Sequence, residues 1–171
     1  MTPYKKAIVE AMSDLAKLSN TVFVGYNLKY GSKGYGTLTG VPESKIIEMP
    51  VAEALMTGLC TGLSLTGYLP ILIFERHDFL LLAADQIVNH LIKIEELSCG
   101  DFKPKVIIRA IVGGTRPFDP GIQHKQRFST EFTLSGVRSF VGQTDDEIKE
   151  CYKIVKLIDE SLMVTEFRDL Y

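Results

Sequence analysis

Two residues in this chain have the type and setting for chemistry, Glu53 and His124, and they sit in different blocks. Glu53 follows Ile46-Ile47-Glu48-Met49-Pro50 and opens a glycine-punctuated segment with Gly58, Gly62 and Gly67. This reads as strand, turn and helix, with Pro50 placed where a missing N–H does little harm. A carboxylate in a first helical turn is favoured by the helix dipole, and that structural role could be its whole purpose. The glycines argue for more. Gly58 and Gly62 lie four apart on one helix face, each at a cost of about 1 kcal/mol against alanine, so a backbone, another helix or a ligand is expected close by. His124 lies in the glycine- and proline-rich stretch 113–126, between Gln123 and Gln126. A loop histidine can reach a site and move protons near neutral pH, or simply face solvent.

The elements that must hold these residues follow from periodicity. Thr2-Pro3 reads as N-cap and first helical position, followed by Ile8, Ala11, Met12, Leu15 and Leu18 at helical spacing. Short apolar runs at 22–25 and 46–47, then 69–74, 105–110, 137–141 and 161–167, read as strands covered on both faces. Between them fall a glycine-rich loop at 31–40 and helices from Glu53, over 79–97 and over 144–160, the last with a capping box from Thr144 to Glu147. The pattern predicts an α/β fold: one three-layer domain over 1–171, with a mostly parallel sheet of about six strands and helices on both faces. Residues 79–88 are apolar on nearly every side, which predicts a helix buried all round, with part of that burial against another chain.

Bulk properties narrow the partners. The chain has 171 residues, 46% of them apolar, enough for one domain with a real core. A net charge of −2 with dispersed Lys and Arg offers no basic stripe for nucleic acid. No apolar run approaches the roughly 18–20 residues of a membrane span. Three cysteines, Cys60, Cys99 and Cys151, are odd in number and lack metal-ligand spacing, so they are expected to be reduced packing residues and the chain cytoplasmic.

Three blocks in order carry a family resemblance: Ile46-Ile47-Glu48-Met49-Pro50 with Glu53, Gly58, Gly62 and Gly67; the stretch from Phe74 with Asp78-Phe79 and Asp85-Gln86-Ile87-Val88-Asn89-His90; and Gly121-Ile122-Gln123-His124-Lys125-Gln126 after Val106-Ile107-Ile108-Arg109. Together they resemble the transketolase-like pyrimidine-binding domain of thiamine-diphosphate enzymes, above all the β subunit of pyruvate and branched-chain 2-oxoacid dehydrogenases. The resemblance implies that Glu53 bonds a pyrimidine ring nitrogen of the cofactor, for which a partly desolvated carboxyl would serve. It implies that Phe79 packs on the aminopyrimidine, although core packing is the plain alternative, and that His124 faces the reacting substrate. His77 has a weaker claim on substrate; His90 reads as structural or interfacial.

Two departures matter. The β subunits usually carry Gly-Glu at the end of the first strand, with the glutamate near the cofactor, where this chain has Gly25-Tyr26. They also continue into a carboxy-terminal domain that this sequence lacks. The magnesium-diphosphate motif, Gly-Asp-Gly followed by Asn, is absent too, so no metal ligand is assigned here and Mg2+ is expected on a partner. These features imply the pyrimidine-binding subunit of a split enzyme acting on a 2-oxo acid or similar donor, paired with a diphosphate-binding α-type subunit and self-associating into a dimer or heterotetramer. The reaction would be decarboxylation, carboligation or aldehyde transfer. The competing readings are the β part of an oxidative 2-oxoacid dehydrogenase and a non-catalytic interaction module that keeps the fold.

Overall fold

The computed structural model describes residues 1–116 and 118–171. Six apolar segments form one sheet: β1 (Thr21–Gly25), β2 (Ile46–Glu48), β3 (Leu69–Phe74), β4 (Ile107–Val112), β5 (Arg138–Val141) and β6 (Leu162–Phe167). Their order is β2-β1-β3-β4-β6-β5 and every neighbouring pair is parallel, so the sheet is wholly parallel. Alternation along the strands separates two cores. Phe23, Ile71, Ile73, Ile107 and Ile111 pack into one helix layer, and Val24, Leu72, Phe74, Ile108 and Ala110 into the other.

The first layer holds the helices Pro3–Ala16 and Asp145–Leu157, both capped as their sequences require. The Thr2 hydroxyl accepts the Lys5 N–H at 3.1 Å, and that of Thr144 accepts the Glu147 N–H at 3.2 Å. The reciprocal arm of the capping box reaches one residue further back than expected, with Glu147 accepting the N–H of Gln143 at 2.7 Å. The second layer holds the helix Glu53–Leu65 and the segment that follows β3.

That segment departs from expectation. A continuous helix over 79–97 is replaced by a 3₁₀ helix, His77–Ala83, a π-helical stretch, Gln86–Leu91, and a short α-helix, Ile94–Leu97. The three-residue period of the 3₁₀ turns explains the burial: His77, Leu80 and Ala83 share the inner face, whereas Leu81 and Leu82 are 54% and 61% exposed. Within this chain the segment is therefore not buried all round. Two further corrections concern small features. A helix at Ser129–Leu134 lacks enough apolar periodicity to be seen in the sequence. Cys60 and Cys151 pack in the interior as expected, but Cys99 is exposed at φ 54° in the turn before Gly100, so the packing assignment fails there.

One ion pair ties the centre of the sheet to the loop after β1, to the helix Asp145–Leu157 and to the last residue of the chain. Arg109 of β4 and Glu166 of β6 are fully buried and joined by two 2.8 Å hydrogen bonds. Arg109 also donates to the Thr37 hydroxyl at 3.2 Å, while the hydroxyls of Tyr152 and Tyr171 donate to Glu166. Burial opposes the charge on Arg109, but Glu166 and the tyrosines outweigh it and hold the guanidinium well above its ordinary range. Removing one partner of such a pair leaves the other charge uncompensated. Arg109→Met should cost about 3–5 kcal/mol in urea unfolding, with the Arg109→Met/Glu166→Leu double variant recovering part of the loss.

Candidate active site

In parallel sheets a crevice opens at the carboxyl ends of the strands where successive crossovers leave in opposite directions. Here that point lies between β1, whose chain continues to β2 on one side, and β3 on the other. The residues just after these strands, together with the loop after β4, line a hollow of about 400 Å³: Tyr26 and Asn27, Glu75 and Arg76 with Phe79, and Phe118, Pro120 and His124.

Three of the four site residues expected from sequence line that hollow. Tyr26 directly follows β1 and is buried, with no partner for its hydroxyl among the described residues. Phe79 and His124 meet edge to face with ring centroids 5.5 Å apart and planes at 80°. His124 stands on the 3₁₀ turn Ile122–His124, and its buried Nδ1 also has no partner among the described residues. Gly113 makes this arrangement possible, because a Cβ there would collide with the carbonyl oxygen of His124. The sequence stretch 113–126 includes residue 117, which lies outside the described residues.

Glu53, the fourth, does not line the hollow. It is the first residue of its helix and 4% exposed, and its Oε1 has no hydrogen-bond partner. It is near Tyr26, whose pKa is driven well above the ordinary phenol range, first by burial and then by the charges of Glu53 and Glu75. An unpaired buried oxygen costs about 1–3 kcal/mol, so each such group calls for a partner from outside the chain, a ligand, an ion or a water. Among the described residues the site thus offers two orphaned oxygens, on Glu53 and Tyr26, one orphaned nitrogen on His124, and the half-buried ring of Phe79. A flat heteroaromatic ring with hydrogen-bonding nitrogens satisfies this donor and acceptor set, so the residues fit an aminopyrimidine.

Sequence reasoning missed Asn27, Glu75 and Arg76, although a polar run, Glu75-Arg76-His77-Asp78, directly follows an apolar strand end and could have signalled them. The loop after β1 is held by two carboxylates. Glu48 accepts the N–H groups of Asn27, Leu28 and Lys29 at 2.6, 2.8 and 2.7 Å, and Glu75 accepts from the Ser32 hydroxyl and from Asn27 Nδ2. His77 is not at the site. Its ring is fully buried, accepts the Phe128 N–H at Nδ1 and meets the Thr165 hydroxyl at Nε2, both at 3.2 Å. Burial lowers its pKa to about 4, so it is a neutral structural residue. His90 is exposed beside Asp85 at 3.3 Å, as a surface or interfacial residue would be. No three His, Cys, Asp or Glu side chains among the described residues cluster as metal ligands, and no helix among them is long and apolar enough to cross a membrane.

Glu75 gives the site a pH signature. Burial, with the charge of Glu48 adding to it, raises its pKa to about 7 against the hydrogen bond from Asn27 and the charge of Arg168. A carboxyl raised on folding stabilises the folded state fully below its unfolded pKa and loses that contribution as pH rises through about 7. His77, lowered to about 4, acts in the opposite sense, gaining stability as pH rises toward its unfolded value. Subtracting Glu75→Gln cancels the histidine: wild-type stability relative to this variant should fall between pH 5 and pH 8 in thermal melts, and a flat difference would deny the shift.

Known proteins share both the sequence and the fold. The chain is 32% identical over 114 residues to pyruvate dehydrogenase E1 component subunit beta of Chaetosphaeridium globosum, covering 67% of this chain and 31% of that protein. It is 27% identical over 172 residues to the chloroplastic subunit beta-4 of Oryza sativa subsp. japonica, covering 97% of this chain and 42% of the relative. It is 26% identical over 155 residues to the mitochondrial subunit of Saccharomyces cerevisiae, covering 87% and 42%. The chain therefore spans less than half the length of these curated relatives. No family model matches it. Among solved structures, a split-gene transketolase described as an inactive beta4 tetramer superposes with a TM-score of 0.72 at 19% identity, over 96% of this chain and 51% of that one. With its wholly parallel sheet and the crevice between β1 and β3, the chain has a transketolase-like fold and is related in sequence to the β subunits of pyruvate dehydrogenase.

Proposed function

We propose that this chain is the pyrimidine-binding part of a thiamine-diphosphate enzyme acting on a 2-oxo acid or similar donor, completed by a diphosphate-binding α-type subunit that holds Mg2+. The observation that carries this reading is the orphaned, buried Oε1 of Glu53 near the orphaned hydroxyl of Tyr26. When bound, thiamine diphosphate supplies a thiazolium carbon able to add to a carbonyl. The chain's own residues do the positioning. Glu53 bonds a pyrimidine ring nitrogen and governs where the ring's proton sits, Phe79 supports the ring's face, Tyr26 offers a neutral hydroxyl, and His124 holds or moves a proton beside the substrate. The three unpaired cysteines suit a reducing compartment, and we place the protein in the cytosol.

The partners use the surface that the fold leaves apolar. A Cβ at Gly62 would meet nothing within 4 Å, and one at Gly58 only Gln86 Oε1 at 3.4 Å, so these glycines are not required by packing within the chain. Val51 just before the same helix, Leu55 on it, and Leu81 and Leu82 on the adjoining 3₁₀ segment are exposed. Self-association and pairing with the α-type subunit through this face account for both features. Gly62→Leu should leave the circular dichroism of the isolated chain unchanged while abolishing assembly in analytical ultracentrifugation; assembly that survives the bulky side chain would reassign the face.

A second reading, the β part of an oxidative 2-oxoacid dehydrogenase, is favoured by the names of the relatives. We prefer a non-oxidative outcome because a buried phenol, Tyr26, stands where the β subunits usually carry an acid. In the reconstituted complex, Glu53→Gln should slow deuterium exchange at the thiazolium carbon by about 10²-fold or more, leaving assembly intact. The same wild-type complex, given pyruvate, should release aldehyde or carboligation product. Unchanged exchange would remove Glu53 from activation, and efficient acylation of an added lipoyl domain would establish the oxidative reading.

A further inference from the structure

Arg76 is a cation at the wall of the hollow. It follows β3 in extended conformation, φ −131° and ψ 127°, and is half-buried. Its Nη1 donates to the backbone oxygen of Glu75 at 3.0 Å, and its guanidinium lies 5.3 Å from the centre of the Tyr35 ring. The Arg168 guanidinium lies over the same ring at 4.6 Å, so two cations crowd one tyrosine. Among the described residues, no carboxylate comes within ion-pair distance of Arg76. The nearby acids are engaged elsewhere: Glu75 with Ser32 and Asn27, and Asp78 with the N–H of Gln126 at 3.2 Å. Burial pulls the pKa of Arg76 down; Tyr26 and Asp78 raise it and the neighbouring Arg168 lowers it further.

A half-desolvated guanidinium has five N–H donors in a rigid fork, and here one of them has a protein partner. The remaining fork matches a carboxylate or phosphate, which would also relieve the repulsion from Arg168. Phe79 and His124 stand among the other walls of the same hollow, so an anion held by Arg76 shares a compartment with the residues that handle the ring and the proton. We propose that Arg76 anchors an oxyanion on the substrate, a carboxylate or a phosphate, and thereby selects acidic donors over neutral aldehydes and ketones. This rests on the hollow being the donor's binding place, as proposed above. Arg76 is then a specificity-determining residue, the group that reads the anionic end of the donor, whether the carboxylate of a 2-oxo acid or a phosphate on a similar donor.

The test uses the full 171-residue chain, labelled with ¹⁵N at arginine Nε, titrated with pyruvate or inorganic phosphate at constant ionic strength, with chloride as the control. One resonance, identified by its absence in Arg76→Gln, should shift saturably with pyruvate, with phosphate or with both, and not with chloride. Response to pyruvate alone identifies a carboxylate donor, and response to phosphate alone a phosphorylated one. Affinity measured at the other shifted signals should fall about tenfold or more in Arg76→Gln and less in Arg76→Lys. Should Arg76→Gln fail to fold, the Arg76→Lys spectrum makes the assignment. Shifts confined to Arg168 or to surface arginines, or binding unchanged in Arg76→Gln, would overturn the proposal. Thiazolium exchange governed by Glu53 is read separately, so intact exchange with no anion binding at Arg76 rejects the anchor and leaves the cofactor reading standing.

Discussion

The molecule depends on the parting of the chain between β1 and β3. Because every strand is parallel, all six carboxyl ends lie on one edge of the sheet, and each must hand its chain to a crossover. Where neighbouring crossovers leave on opposite sides, no element covers the gap. The gap is then lined by whatever follows the strands, here a phenol, a carboxyl, a guanidinium and, from the loop after β4, an imidazole. Function sits there because the sheet gives that place a rigid floor and irregular walls.

Buried polar groups divide into two populations by whether they are satisfied. Arg109, Glu166, His77 and Ser161 sit deep in the molecule with protein partners. Although one nitrogen of Arg109 lacks a bond, its other donors are taken by Glu166 and Thr37. These groups bind strands and loops together, and their chemistry is spent on structure. Among the described residues Tyr26, Glu53 and His124 each keep an atom without a partner and belong to the strand-end crevice or its margin, whereas Thr21 and Asp78, which also keep one, do not line the hollow. His77 is fully buried and His124 half-buried, and the partner of each ring nitrogen then separates a structural histidine from one available to a ligand.

Much of the fold was legible in the sequence because parallel strands, covered on both faces, leave unbroken apolar runs, and because Thr2, Pro3, Thr144 and Glu147 carry local capping chemistry that tertiary context did not override. The segment after β3 was misread because apolar residues on every side give no period, and its 3₁₀ turns are set by long-range anchors: His77 to Phe128 and Thr165, and Asp78 to Gln126. Tyr26, Phe79 and His124 were found through block-by-block resemblance. Asn27, Glu75 and Arg76 were not, since their importance comes from where β1 and β3 end side by side, a fact of topology that no single stretch of sequence contains.

Tyr26 decides what kind of chemistry can surround Glu53. Two carboxylates close together in a partly buried site repel, and one must give up its charge or find a cation. A phenol removes that conflict: its pKa, already pushed upward by burial and by Glu53 itself, keeps it a neutral donor throughout the physiological range. It can therefore donate a hydrogen bond to a substrate or ring atom but cannot act as a second base. The ionisable work of the pocket then passes to the two residues that directly follow β3, Glu75, raised to about 7, and Arg76, whose charges also act on Tyr26. On the proposed reading, the fixed cation of Arg76 beside the neutral phenol of Tyr26 orients a polar substrate by its anionic end before any bond is made or broken.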